Sequence, residues 1–264
     1  MNIRALQQSI EQDSHVVSSA INYVFSTTIN RVKKTNRAVN ALTFVGHLNA
    51  ALDKTGVRVH IDTDDLLASP TDQLFYPVLS ALCYEPKHAE KPAKIRLTIS
   101  LHSSTNRLVL SEDAWEFFRF KFWKIVTHEL VHRAQYQKGR TEQNMFVFKT
   151  QIEDVKSEQY KNQKYLGELD EIEAYARDCY EEWHYFYPNT EMTLDALQQD
   201  FGPHATLPTI EFYYETFGDI NALPVKRLFS KTLEWNKHVK LPIAQYIPKI
   251  TVTLQKMKEQ NKTK

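Results

Sequence analysis

A chain of 264 residues can bury a sizeable core, and 42 % hydrophobic with 12 % aromatic residues and only six glycines suits a helix-rich packed protein over a disordered one. Thirty-three lysines and arginines against 32 acids leave no bulk charge that argues for a nucleic-acid or acidic-lipid partner. The opening MNIRALQQSIEQDSHVV has no apolar core of signal-peptide length and no apolar run approaches a membrane span, so the expectation is an intracellular, cytoplasmic protein.

In chain order, Ile3, Leu6, Ile10, Val17, Ile21 and Val24 form a helical stripe over residues 3–30. A second helix is predicted from Arg37 to Lys54, with Gly56 just past its end in a left-handed cap. The period then changes. VRVHI (57–61) and, after a Pro- and Lys-rich connection at 86–94, KIRLTISLHS (94–103) alternate apolar and polar residues as half-buried strands do. RLVL (107–110) is a shorter candidate strand. Ser111 is placed to cap the next helix, with Glu112 and Asp113 in its first turn against the positive end of the dipole. That helix is predicted to run to about Lys138 and to be stopped by Gly139. Residues 140–167 are polar, with MFVF (145–148) as a candidate strand. Ile172, Tyr175, Ala176, Cys179 and Trp183 share one face of a helix over 170–185, and Pro188 helps to end it. TLDALQQD, TIEFYYETF and VKRLFSKTLEWNKHV read as further helices, and the charged tail KMKEQNKTK is predicted to fray.

Strands gathered in one stretch between helices argue for an α+β, mostly helical fold with a small sheet before the central helix. No linker forces a cut, so 1–264 reads as one domain: N-terminal helices at 1–55, sheet and central helices at 56–186, C-terminal helices at 187–264. Cys83 and Cys179 are far apart and in no metal-like spacing, as free thiols of a reducing compartment would be.

The chemistry concentrates in FWKIVTHELVHRAQYQKG (122–139), which holds an H-E-x-x-H string. Positions four apart on a helix lie nearly above one another, so His128 and His132 present two imidazoles to neighbouring positions of a tetrahedral zinc ion. Glu129 lies beside the first of them, where a carboxylate can take the proton of an attacking water without holding the metal. Phe118, Phe122, Ile125, Glu129 and His132 share a face, so the polar groups continue a buried stripe and need compensation. The competing reading is a pair of core histidines hydrogen-bonded to neighbours.

Catalytic zinc usually takes three protein ligands and leaves a fourth position open. The best source of the third is YLGELDEIEAYARD (165–178). Asp170 with Glu173 reads as a reciprocal helix cap, and Glu168 precedes the helix. Glu171 remains on the first turn, free to point into a cleft, although helical projection does not separate it from Glu173.

HELVH followed by EIEA on a later helix resembles the zincin metallopeptidases, in the branch whose third ligand is a glutamate in an E-x-x-A or E-x-x-S pattern. The resemblance spans residues 111–186 at most. It implies His128, His132 and Glu171 as zinc ligands, Glu129 as general base, a peptide or protein substrate, and a cleft with an edge strand that holds substrate backbone. HELVH with EIEAYA is also similar to small metallopeptidase-like proteins encoded by bacteriophages. Arg133 departs from the pattern, since such families usually carry an uncharged residue after the second histidine. The spacing to Glu171 exceeds that of thermolysin-like enzymes, and no H-x-x-G-x-x-H extension follows. For the oxyanion, Tyr175, His184, His204, Tyr213 and Tyr214 stand as alternatives. His47, His60, His88 and His102 are isolated, and DTDD (62–65) lacks the rest of a calcium loop. The rival readings are a zinc-stapled binding or virion protein without catalysis, and a metal-free helical scaffold.

Overall fold

The computed structural model describes residues 3–35, 37–63, 78–84, 94–102, 106–137 and 157–239. The fold is α+β and mostly helical, with its small sheet ahead of the central helix. The described residues divide into two compact units, one within residues 13–126 and the other made of residues 3–12 with those within 127–239. Among the described residues, no helix is long and apolar enough to cross a membrane.

In the unit built on residues 13–126, helix α1 (Ile3–Thr35) outruns its expected end at residue 30. Strand β1 (Val39–Asn40) then leads into α2 (Ala41–Ala51). The predicted helix from Arg37 is therefore shorter, because Asn40 is extended and its side chain caps the Thr43 amide at 2.9 Å. Gly56 is left-handed, at φ 74°, but it serves the turn into the next strand and not the helix end. Strands β2 (Val57–Thr63), β3 (Val78–Tyr84) and β4 (Lys94–Leu101) form a sheet in the order β2-β4-β3. β2 runs parallel to β4, with Val57 opposite Ile95 and Val59 opposite Leu97. β3 runs antiparallel to β4. Alternation holds in β4, where Ile95, Leu97, Ile99 and Leu101 are buried while Lys94 and Arg96 are exposed. Of RLVL only β5 (Arg107–Leu108) pairs, antiparallel to β1.

Asn49 of α2 closes part of the β2 edge. Its amide donates to the Val59 carbonyl at 2.8 Å and accepts the Val59 N–H at 2.9 Å, as a neighbouring strand would. Helix α3 (Glu112–Gln137) starts as expected, Ser111 Oγ accepting the Ala114 amide at 3.2 Å. Phe25 lies within 5.1–6.2 Å of the rings of Phe44, Trp115, Phe118 and Phe122, so α1, α2 and the first half of α3 share an aromatic core.

Among the described residues, the second unit holds the start of α1 up to Gln12, the end of α3 from Thr127, and α4 (Glu158–Leu166), α5 (Leu169–Phe186), α6 (Leu194–Gln199), α7 (Pro208–Phe217) and α8 (Leu223–His238). α4, capped by Ser157, was not expected within the polar stretch. α5 packs against α7 and α8 and is buried on nearly every side. The N-cap of α7, Leu207, has no side-chain capping bond; Glu182 of α5 accepts the Thr209 amide at 2.9 Å in its first turn. Gly139 and MFVF lie outside the described residues, as do His88 and the tail.

Candidate metal centre

His128, Glu129 and His132 lie on the last turns of α3, where apolar neighbours bury the first two to 7 % exposure. The acid that meets them comes from the first turn of α5. Its N-cap is Glu168, whose side chain makes no capping bond, so the expected Asp170–Glu173 cap is not formed. This register sets Glu171 at the third helical position, where the N-terminal dipole favours a carboxylate. Glu173 falls in the second turn, facing Gln135 and Lys231.

Among the described residues, His128, His132 and Glu171 form the group whose donor atoms could hold a metal ion, all within 4.8 Å of one another. The two Nε2 atoms are 3.2 Å apart. His132 Nε2 lies 3.4 Å from Glu171 Oε1, and His128 Nε2 lies 3.6 Å from Glu171 Oε2. The other ring nitrogens are engaged elsewhere: His128 Nδ1 at 3.1 Å from Asp178 Oδ2, His132 Nδ1 at 2.9 Å from Gln135 Oε1. Both of those oxygens act as acceptors, so each Nδ1 carries the proton and each Nε2 turns a lone pair inward. Two lone pairs and a carboxylate at this range repel unless a proton or a metal cation sits among them. Glu171 Oε2 is buried without a hydrogen-bond partner, the orphaned acceptor that a cation would satisfy.

The metal-free cluster answers with protons. Burial alone would push His128 down, but Asp178 on one side and Glu171 on the other lift it to about 10. Burial likewise opposes the charge on His132, and Glu171 facing it prevails and raises it. Burial would raise Glu171, yet the two imidazoles hold it well below the usual carboxylate range. A metal must displace these protons, so binding releases them.

Of the alternatives for the oxyanion, Tyr175 stands against the site, its ring edge-to-face with His128 at 4.8 Å. Tyr213 donates its hydroxyl to the Leu166 carbonyl at 3.2 Å. His184 pairs with Asn236, Tyr214 lies against Phe201, and His204 is exposed. Tyr165 of α4 is the tyrosine missed from sequence: 41 % exposed, its ring 6.2 Å from that of Tyr175. Its hydroxyl is pushed far up by burial and by the Glu171 charge beside it. Asp178 and Gln135 were also missed; each appears from sequence as one more polar residue on a helix. No family model, curated protein or solved structure matches this chain.

Proposed function

We propose that the chain is a zinc-dependent metallopeptidase in which His128, His132 and Glu171 hold the metal and Glu129 is the general base. The spacing of the donor atoms supports this reading. Ligands at the roughly 2.0–2.1 Å typical of zinc, in tetrahedral array, stand about 3.3 Å from one another. The imidazole nitrogens are 3.2 Å apart, the two Glu171 oxygens lie 3.4 and 3.6 Å from one nitrogen each, and one donor atom from each residue lies within 4.8 Å of the others. Two histidines and a glutamate are a three-ligand set of the kind that catalytic zinc uses, with its fourth position kept for water or substrate.

Bound there, zinc would polarise a peptide carbonyl and lower the pKa of water towards neutrality. The chain's own residues supply the remainder. Asp178 takes the Nδ1 proton of His128 in a hydrogen bond, which fixes that ring and raises its basicity. Glu129, buried on the same turn, takes the proton of the attacking water and hands it to the leaving amine. Tyr165 and Tyr175 form the aromatic flank against which the substrate is oriented.

Elemental analysis of protein purified without added metal tests the ligand set: close to one zinc per chain is expected, and less than about a tenth sinks the reading. Glu129→Gln is expected to keep that zinc while peptide cleavage falls by about 10²–10⁴-fold. An unaltered, zinc-loaded chain that cleaves no peptide would instead favour a zinc-stapled binding protein.

A further inference from the structure

Gln135 is 2 % exposed and lies three residues past His132 on α3. Its neighbours fix which way its amide points. Nε2 is 3.1 Å from the Asp170 carbonyl oxygen and 3.3 Å from Glu173 Oε2, and both of these only accept. The nitrogen must face them, so Oε1 must face His132 Nδ1. An amide oxygen cannot donate; the ring therefore keeps its proton on Nδ1 and its Nε2 lone pair on the side of His128 and Glu171.

The amide is itself held from a third helix. Lys231 Nζ on α8 is 3.8 Å from Glu173 Oε1, and Trp235 Nε1 donates to the Glu173 carbonyl at 3.2 Å. Lys231 is 5 % exposed and also pairs with Glu234 at 2.8 Å. A continuous line of contacts thus runs from α8 through Glu173 and Gln135 to His132. The two imidazoles have unequal backing, a carboxylate behind His128 and a neutral amide behind His132. Neutrality at 135 has a physical reason: a second carboxylate there would face Glu173 and the Asp170 carbonyl, with nothing to donate between them.

We propose that Gln135 is the positioning residue for His132, selecting the tautomer that turns Nε2 inward, with Glu173 and its α8 partners Lys231 and Trp235 as its anchor. This deepens the metallopeptidase reading and rests on it for its purpose, although the tautomer is a property of the chain alone.

Two measurements on the full chain test it: zinc affinity by competition with a chromophoric chelator, and long-range ¹H–¹⁵N spectra that report each histidine's tautomer. The spectra are taken on the zinc-loaded chain and on the metal-free chain at alkaline pH. In the unaltered chain His132 is expected to carry its proton on Nδ1. Gln135→Leu, of similar volume, should lose that single tautomer and weaken zinc binding about 10- to 100-fold. Gln135→Glu should weaken it as well, because two carboxylates then crowd. Gln135→Glu combined with Glu173→Gln reverses donor and acceptor between positions 135 and 173, although the Asp170 carbonyl still faces an acceptor, and should recover part of the affinity. Merely structural damage would not be repaired by that exchange. A Gln135→Leu chain that keeps both tautomer and affinity overturns the proposal, as does a double variant no better than Gln135→Glu alone. If Gln135→Leu fails to fold, the exchange decides. An unaltered chain that takes up no zinc defeats the metallopeptidase reading instead, and the metal-free spectra still decide the role of Gln135.

Discussion

Glu171 and Glu173 stand two residues apart with similar burial, 8 % and 3 %, and meet different partners. One looks at two imidazoles and the other at an amide and a lysine. Glu171→Gln should therefore abolish measurable zinc uptake, since a neutral amide is a poor metal ligand and brings no charge to the ion. Glu173→Gln should leave zinc bound more weakly, and equal effects from the two substitutions in a chelator competition would refute the assignment. Asp178→Asn keeps an acceptor beside His128 but removes its charge, so affinity should fall by about 10- to 100-fold with the fold intact. Circular dichroism beside the zinc titration checks both halves of that statement. His128, Glu129 and His132 were legible because a helix converts a spacing of four into adjacency. Asp178 and Gln135 were not, since nothing in a linear string says which polar side chain of a later turn backs which ring.

The same limit recurs among the helices and strands. α5 was legible because its apolar positions recur every three to four residues, and its start differs from expectation only because Glu168 and not Asp170 is the N-cap. β4 showed itself through strict alternation, with one face buried and the other exposed at Lys94 and Arg96 and half-buried at Thr98 and Ser100. β3 hid, because VLSALCY sets two apolar residues on either side of Ser80 and breaks the period of two. The Asn49 clamp was equally invisible, as it depends on α2 lying along β2. Asn49→Ala removes both bonds to Val59 and should cost about 1–3 kcal/mol in denaturant unfolding. A midpoint unchanged from the parent would show that water replaces the clamp without penalty.

Across the molecule, the candidate metal centre and its supports lie in the unit that begins at Thr127, whereas the Phe25 aromatic core lies in the other. A ligand that binds only the folded state raises its stability, by about 2.7 kcal/mol at a hundredfold excess over Kd. Zinc should accordingly raise the melting temperature, a chelator should return it, and the Glu171→Gln chain should show neither response. A shift of the same size in that variant would place the stabilising ion elsewhere. The bond from Glu182 to the first turn of α7 adds a sequence in time. α7 borrows its starting signal from a helix 27 residues upstream, so it has little reason to coil before that helix is present. During synthesis, residues 208–217 would emerge from the ribosome to find α5 already waiting as their template.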